Sequence, residues 1–454
     1  MIIRLALRSL AVRPIRTAVL ACGFGLGIAV MAALLGVGEV ILEQARSPVL
    51  QGGGDMLVTG AFGAVENAPF VLSTVRSLAP TASPSRRSTI YLMSHGESIP
   101  ILARGGVPSL EKAVGDAEVR DVAVWTDAQY DARWTHLDST AVLRALDRFH
   151  AQPDVPEFAS SWAEWLYFNG RTSDGHVRFY LTFLVGPLVR PGFRTAGVHL
   201  QLDRDGRTSD YIASDVVDEH VVLDGAPDLE IAGNRVRLDG EQYELTLGLP
   251  GITGHLTLDP APGRSLPPAV LRGARGWLSG YVVPVLSGRL GGTLVSGGET
   301  MVFDDAEGYH DHNWGFWRDV RWQWGQVSGD GLSFVYGRVF PPADVAAADR
   351  IPGFLGVLDE HGLVGVATNV SIAENRPDTG SSTAPASIDV TARAFGLDLQ
   401  LVFSTDRVVR RPVSLAGGNS DFIQLGGRYH VQGRAAGRTI DVSARGAAET
   451  FQQR

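Results

Sequence analysis

The chain has 454 residues and a formal net charge of −9, and hydrophobic residues make up 44% of it against 20% charged residues. This composition allows a substantial core, excludes a globally disordered chain and argues against a nucleic-acid partner. The single cysteine, Cys22, excludes an intramolecular disulfide, a thiolate zinc cluster and an iron–sulfur centre.

One long apolar segment lies near the amino terminus. Residues 1–17 are basic, and the following residues 18–41 begin with a long run that has no charged side chain. A helix over this run spans about 30 Å, the thickness of the hydrocarbon core of a bilayer. The preceding arginines favour a cytoplasmic amino terminus. We therefore predict a single-pass protein of the cell membrane with its later domains outside the cytoplasm; a cleaved signal peptide is the alternative.

This segment, LALRSLAVRPIRTAVLACGFGLGIAVMAALLGVGE, resembles the first helix of FtsX/MacB-type ABC transporter permeases. The resemblance implies that residues 42–118 form a permease-like extracytoplasmic α+β piece, and strand-like runs separated by Gly, Pro and Ser fit this. Such permeases need further transmembrane helices, and the sequence shows no second apolar run of that length. We predict that the segment serves as an anchor, with an ABC transporter as a candidate partner.

The pattern changes to β-structure in the second third of the chain. Residues 119–155 are predicted to be a connector with one helix, capped by Asp138 or Ser139. After this, short runs of alternating polarity recur, separated by Asp-Gly, Gly-Gly and Pro turns. Many hairpins and few helices indicate a mainly β fold of antiparallel barrels or sandwiches. The length favours two consecutive barrels, at 156–305 and 306–454.

The residues that could carry chemistry are concentrated in the stretch GYHDHNWG at 308–315. In an extended strand, alternate side chains face opposite sides. One side would hold His310, His312 and Trp314, and the other Tyr309, Asp311 and Asn313.

Three interpretations of this stretch stay open. His-x-His on a strand places two imidazoles on one side, which suits zinc, copper or iron. Buried histidines and an aspartate hydrogen-bonded to one another would instead be structural. In the catalytic interpretation, Asp311 lies beside aromatic rings and away from water, which raises its pKa.

The catalytic interpretation makes Asp311 a proton donor. Its pKa must rise from 3.9 by roughly three units for the carboxyl to stay mostly protonated at pH 7. It could then protonate an alkene or carbonyl group, while tryptophan faces stabilise the developing cation. His310 or His312 could hold the carboxyl in place or activate a water molecule. This chemistry requires no cofactor.

The stretch YHDHNWG, followed by WQWG at 322–325, resembles the hydroxyneurosporene synthase or carotenoid 1,2-hydratase family, also called AttH-like. Relatives of that family include lipocalin-fold Diels–Alderases and cyclases. EWLYFNG at 164–170 resembles the EWWYFNG strand of the family, with Leu166 replacing its second tryptophan. RGW at 275–277 and YVVP at 281–284 also agree, and the resemblance covers about 160–454.

The resemblance implies two tandem lipocalin-like barrels with an apolar cavity near their junction. It makes Asp311 the proton-donor candidate, with catalytic supports at Tyr309, His310 and His312. The candidate substrate-binding residues are Glu164, Trp165, Asn169, Trp314, Trp322, Trp324 and Tyr336. No metal site and no cofactor is implied.

From these features we predict a membrane-anchored, cofactor-independent hydratase, lyase or cyclase of the carotenoid 1,2-hydratase-like type. Its substrate would be an apolar isoprenoid or other lipid. The alternative is a non-enzymatic lipid-binding protein that carries or presents an apolar ligand, for example to an ABC transporter.

Overall fold

The computed structural model describes most of the chain after residue 55. The described residues are 56–60, 67–94, 97–116, 121–377, 384–415 and 418–453, with 15, 30, 31, 54, 65 and 119 as isolated positions. The predicted basic segment 1–17 and transmembrane helix 18–41 lie outside the described residues except at three isolated positions. Among the described helices, none is long and apolar enough to span a membrane.

The chain divides into two compact units. The first comprises 1–68 and 72–136, and the second comprises 69–71 and 137–454. Helix α1 covers Ala68–Leu78. The remaining described elements of the first unit are an antiparallel hairpin, two short α-helices and one 3-10 helix: β1 (Ser85–Ser94), β2 (Glu97–Gly106), α2 (Pro108–Ala113), the 3-10 helix Gln129–Asp131 and α3 (Ala132–Thr135).

The second unit begins with the predicted connector helix, α4 (Ser139–Leu146). Asp138 caps it, because its Oδ1 accepts a hydrogen bond from the backbone N–H of Ala141 at 2.6 Å. Leu143 and Leu146 are buried on one face of the helix. The helix ends at its C-cap residue Asp147, and this places the Asp147 side chain in the core.

Eleven strands build the first barrel. They are β3 (Trp162–Arg171), β4 (Val177–Arg190), β5 (Phe193–Arg204), β6 (Arg207–Asp218), β7 (Leu229–Ile231), β8 (Asn234–Asp239), β9 (Gln242–Leu249), β10 (Ile252–Pro260), β11 (Leu266–Arg272), β12 (Leu278–Ser296) and β13 (Glu299–Phe316). Their order is β6-β5-β4-β3-β13-β12-β10-β9-β8-β7, with β11 paired to β12. Strands β6 and β7 approach each other, so the sheet is nearly closed. A short helix, α5 (Glu219–Gly225), connects them.

Nine strands build the second barrel. They are β14 (Arg321–Gly329), β15 (Leu332–Phe340), β16 (Phe354–Asp359), β17 (Gly362–Ala367), β18 (Asn369–Asn375), β19 (Ser387–Ala394), β20 (Leu397–Leu415), β21 (Gly418–Ala435) and β22 (Arg438–Gln453). Their order is β17-β16-β15-β14-β22-β21-β20-β19-β18, and all pairs are antiparallel. The prediction of a mainly β fold with two tandem lipocalin-like barrels is confirmed.

Strand β13, which carries the YHDHNWG stretch, belongs to the first barrel. It pairs with β12 on one side and with β3 on the other, so that Asp311 lies opposite Tyr167. The second sheet starts at Arg321, so residues 306–316, which we expected in the second barrel, pair within the first. The chain therefore crosses between barrels directly after the stretch.

Three hydrophobic clusters explain why these strands form. In β4, alternate side chains such as Phe179, Leu181 and Phe183 are wholly buried inside the first barrel, and each contributes roughly 1.5–3 kcal/mol through burial. A second cluster fills the second barrel. The third joins residues of the two barrels, including Tyr167 and Tyr309 from the first and Val335 and Leu358 from the second. This third cluster defines the junction between the barrels.

Candidate active site

The alternation of side chains along β13 creates two separate polar clusters. His310 and His312 are wholly buried within the first barrel. Tyr309 and Asp311 point to the opposite side, and Tyr309 belongs to the cluster at the junction. One short stretch of sequence therefore contributes side chains to two different environments, the interior of the first barrel and the junction between the barrels.

His312 lies between two carboxylates. Its Nδ1 donates to Asp147 Oδ1 at 2.8 Å, and its Nε2 donates to Glu164 Oε1 at 2.9 Å. Burial disfavours the charged ring, but the hydrogen bonds and charges of the two carboxylates outweigh burial and raise the pKa of His312 to about 9. His312 is therefore an imidazolium at neutral pH.

Asp147 is the centre of the same cluster. It accepts hydrogen bonds from His310 Nε2 at 2.9 Å, His312 Nδ1 at 2.8 Å and the Tyr243 hydroxyl at 3.1 Å. Burial alone would raise the pKa of Asp147, but the charges and hydrogen bonds of the two histidines lower it to about 2. The carboxylate is therefore ionised and fully hydrogen-bonded at neutral pH.

Glu164 and His150 complete this cluster on the side nearer to solvent. Glu164 accepts hydrogen bonds from the His150 backbone N–H at 3.0 Å and from His150 Nδ1 at 2.8 Å. Burial opposes its charge, but the bonds from His150 and His312 lower the pKa of Glu164. We call Asp147, His150, Glu164, His310 and His312 the histidine–carboxylate cluster.

The metal interpretation can be tested against the donors in this cluster. Ligand atoms of His150, Glu164 and His312 lie within 4.8 Å of one another, and two histidines with one glutamate form a zinc-type donor set. However, both nitrogens of His312 already donate to carboxylates, and His310 Nδ1 donates to the Tyr167 carbonyl at 3.0 Å. These bonds satisfy the histidines without an ion and favour the structural interpretation for this side of β13.

Asp311 has a different environment on the other side of the strand. Its side chain is 7% exposed. Its Oδ2 accepts a hydrogen bond from the Tyr309 hydroxyl at 2.8 Å, and its Oδ1 accepts one from Asn313 Nδ2 at 2.8 Å. Burial raises the pKa of Asp311 to about 6, against the opposing effect of these two donors.

One expectation about Asp311 needs correction. His310 and His312 do not hold its carboxyl by hydrogen bonds, because they face the other side of β13 and bind Asp147 and Glu164. They act on Asp311 only through their charge, which lowers its pKa. Burial shifts the pKa of Asp311 upwards to about 6, which is the direction that the proton-donor prediction requires.

The second barrel contributes a further carboxyl, Glu449 on β22. The Tyr167 hydroxyl donates to Glu449 Oε1 at 2.8 Å, and Gln424 Nε2 donates to the Tyr167 hydroxyl oxygen at 3.1 Å. Burial, together with the charge of Asp311, raises the pKa of Glu449 to about 8, and the bond from Tyr167 opposes this. We define the junction site as Tyr167, Tyr309, Asp311, Asn313, Gln424 and Glu449.

Aromatic rings lie beside the junction site. Tyr281, opposite Asn313 in the sheet, has its ring centroid 5.3 Å from that of Trp324 and 5.3 Å from that of Phe354. Trp165 lies opposite Asn313 on the other side. All four rings are only partly buried, so they can contact a ligand.

Two buried polar atoms at this junction have no hydrogen-bond partner in the described part of the chain. They are Trp324 Nε1, a donor, and Gln424 Oε1, an acceptor. Trp324 and Gln424 flank Glu449 in neighbouring strands. Buried polar atoms without a partner carry a desolvation penalty. The row formed by Trp324, Glu449 and Gln424 is therefore a candidate for ligand or water contact.

The predicted site residues separate into three groups. Tyr309, Asp311, Trp165, Asn169 and Trp324 lie on the strand faces at the junction, with Asn169 opposite Tyr309. Glu164, His310, His312 and Trp314 lie with the histidine–carboxylate cluster, where Trp314 stacks on His150 at 4.2 Å. Tyr336 lies in the core of the second barrel, and Trp322 stacks on Phe451 at 4.3 Å.

Sequence reasoning did not identify five residues of these clusters: Asp147, His150, Tyr167, Gln424 and Glu449. Tyr167 lies inside the EWLYFNG stretch, so the resemblance could have indicated it. The other four lie in segments without a motif. Only strand pairing and the packing of the two barrels bring them to β13.

Comparisons with known proteins give structures of low similarity. An AttH-like protein from Nitrosomonas europaea is 16% identical, with a TM-score of 0.44, over 64% of this chain and 92% of that chain. CghA with Sch210972 is 13% identical, with a TM-score of 0.47, over 64% and 88%. Kievitone hydratase from Nectria haematococca is 14% identical, with a TM-score of 0.44, over 68% and 94%.

No protein-family model matches the chain, and no curated protein matches it at a significant level. The three structures are of the kind that the sequence resembles, but likeness at such identities and TM-scores does not show membership of their family. None of these matches supports the permease-like start. The two-barrel architecture is established by the strand pairing itself.

Proposed function

We propose that the protein is a cofactor-independent hydratase, lyase or cyclase that protonates an unsaturated apolar substrate at the junction site. The single observation that carries the proposal is Asp311, a carboxyl buried between two barrels with its pKa raised to about 6. Perturbed carboxyls at such positions are typical of acid–base catalysis. The substrate class is an isoprenoid or other apolar lipid.

The aromatic rings support a cationic intermediate. Protonation of a carbon–carbon double bond leaves a carbocation, and a desolvated ring face stabilises a cation by about 2 kcal/mol. Trp165, Tyr281 and Trp324 are partly exposed beside Asp311 and Asn313, so their faces are available for this contact. A lyase, a hydratase and a cyclase share this carbocation intermediate and differ in the step that consumes the carbocation.

A lipid-binding protein without catalysis is the second candidate. The unpartnered atoms Trp324 Nε1 and Gln424 Oε1 favour it, because they could bind a ligand head group with no reaction. Under this proposal Asp311 anchors the head group only.

The membrane anchor at 18–41, an extracytoplasmic location and an ABC transporter partner remain proposals; a reporter fused after residue 45 that is active only in the cytoplasm would overturn the location.

The deciding experiment uses deuterium uptake. The full chain is incubated in D2O with geranylgeraniol or squalene, and carbon-bound deuterium is measured by mass spectrometry. We expect uptake in the wild type, loss of uptake with retained lipid binding in Asp311→Asn, and no change in Asp304→Asn, an exposed position on the same strand. Equal uptake in Asp311→Asn would reject acid–base catalysis at this residue. Binding of both lipids without uptake in the wild type favours the lipid-binding candidate.

A further inference from the structure

We propose that Glu449 is the acid of the junction site and that Asp311 is its base. In this assignment, which rests on the proposed function, Glu449 gives a proton to a substrate carbon and Asp311 receives one from water. The site is then complete only when both barrels are present, since Asp311 lies on β13 and Glu449 on β22.

The hydrogen bonds distinguish the two carboxyls. Both oxygens of Asp311 accept a bond, one from Tyr309 and one from Asn313, and this arrangement stabilises a carboxylate. Glu449 accepts one bond, at Oε1 from Tyr167. In the described part of the chain its Oε2 has no hydrogen-bond partner, and the side chain is partly exposed. Oε2 is therefore the oxygen that can carry a proton and meet a substrate.

The charges agree with this assignment. Asp311 and Glu449 are two carboxyls that disfavour each other's ionisation, so one of them holds a proton more tightly. The pKa of Glu449 is raised to about 8, and that of Asp311 to about 6. Of the two carboxyls, Glu449 is therefore the one that holds its proton more tightly at neutral pH.

The neighbours of Glu449 place it beside a ligand position. Trp324 and Gln424 lie opposite Glu449 in the adjacent strands, and each has a buried polar atom without a partner. The ring of Trp324 is in edge contact with Tyr281. An unsaturated chain lying against these rings, with a hydroxyl or carbonyl oxygen at Trp324 Nε1, would pass Oε2 of Glu449.

The reaction balances with these two groups and water. The O–H bond at Glu449 Oε2 breaks as the π electrons of the double bond form a C–H bond, which leaves a carbocation and an ionised Glu449. A water oxygen then bonds to the cation, and the water gives one proton to Asp311. Transfer of this proton through solvent from Asp311 to Glu449 restores the site. The sum is addition of one water molecule to one double bond, and the reverse sequence is the lyase reaction.

Infrared spectroscopy of the wild-type full chain tests the assignment without a substrate. We expect a protonated-carboxyl band at pH 7 that titrates near pH 8 and is absent in Glu449→Gln. In Asp311→Asn the midpoint moves to lower pH, because the neighbouring charge is gone. Glu360→Gln, at an exposed side chain of the second barrel, serves as the control and leaves the band unchanged. Absence of the band in the wild type, or its persistence in Glu449→Gln, would overturn the assignment.

Kinetics separate this inference from the proposed function. With the deuterium assay above, we expect Glu449→Gln to lower kcat by a factor of about 10²–10⁴ while lipid binding is retained. If Asp311→Asn is inactive and Glu449→Gln is fully active, the role of Glu449 is wrong and the proposed function stands. If both variants are fully active, the proposed function itself is wrong. Should Glu449→Gln fail to fold, as judged by circular dichroism, the wild-type infrared titration decides.

Discussion

His312 Nδ1 lies 2.8 Å from Asp147 Oδ1, although 165 residues separate them in sequence, and both side chains are wholly buried. The bond joins the end of helix α4 to the middle of β13. A buried ion pair is stabilising only when its remaining hydrogen bonds are also made, since each ion loses its hydration. Glu164, His310 and Tyr243 supply those bonds. Removal of one partner therefore leaves the others buried without compensation, and their desolvation penalty lowers the free energy of unfolding.

Asp147→Asn is expected to lower the free energy of unfolding by about 3–5 kcal/mol, because it removes one of the two carboxylates that compensate the buried imidazolium of His312. The measurement is the urea midpoint followed by tryptophan fluorescence. The matched control is Asp441→Asn, whose carboxylate accepts from His430 Nε2 at 2.9 Å but is 72% exposed. An exposed pair contributes about 0–1 kcal/mol. Equal effects of the two substitutions would contradict the importance of the buried cluster.

Stability is expected to depend on pH through both polar clusters. The pKa of Asp147 is lowered from 3.8 to about 2, so its contribution is complete above pH 3.8 and is lost as pH falls towards 2. The pKa of His312 is raised from 6.5 to about 9, so its contribution is complete below pH 6.5 and is lost as pH rises to 9. The pKa values of Asp311 and Glu449 are raised by burial. Their contribution to the free energy of unfolding therefore also falls as pH rises, because ionisation of a buried carboxyl is costly.

These signs predict a maximum of stability just above pH 4 and a decline to pH 9. Urea midpoints across this range check the shape of the curve. The double variant Asp311→Asn with Glu449→Gln should flatten the decline between pH 4 and 8 and leave the loss that His312 causes up to pH 9. A maximum at pH 8 would show that the raised pKa values are wrong.

The architecture of the second unit could be predicted because it depends on local patterns. Alternating polarity and Asp-Gly or Gly-Gly turns mark strands wherever one sheet face is buried. The boundary between the barrels could not be read in this way. Residues 306–316 continue the same alternation as their neighbours, and only their pairing with β3 assigns them to the first barrel. Pairing partners far apart in sequence leave no local signal.

The site could be predicted in part for the same reason. Because successive side chains of a strand face opposite sides, the sequence predicts that Asp311 and the two histidines lie on opposite sides of β13. The structure confirms this placement. The alternation could not supply the partners of these residues, since Asp147 follows a helix and Glu449 lies on the last strand. Adjacency in sequence suggests that His310 and His312 support Asp311. In space, the backbone of β13 separates them.

Gly325→Ala is expected to destabilise the second barrel by about 1–3 kcal/mol through overpacking. A Cβ at Gly325 would meet the ring of Tyr336 and the hydroxyl of Tyr429, and these hydroxyls lie 3.0 Å apart in a hydrogen bond. Gly248→Ala on β9 is the control, because a Cβ there meets nothing within 4 Å. Thermal unfolding compares the two variants. A null effect at Gly325 would mean that the Tyr336–Tyr429 pair moves freely and does not form part of a rigid core.

Tyr309→Phe is expected to raise the pKa of Asp311 above its value of about 6. The Tyr309 hydroxyl donates to Asp311 Oδ2 at 2.8 Å, and a donor to the carboxylate stabilises its charged form, so its removal favours the proton. Titration of 13C-labelled aspartate carboxyls by NMR measures the change, and the acid limb of the deuterium-uptake profile should move to higher pH with it. Tyr281→Phe, a neighbouring ring whose hydroxyl does not bind Asp311, should leave the titration where it was. A fall in the pKa of Asp311 in Tyr309→Phe would mean that this hydroxyl accepts a hydrogen bond from the protonated carboxyl, and Asp311 would then be the acid of the pair.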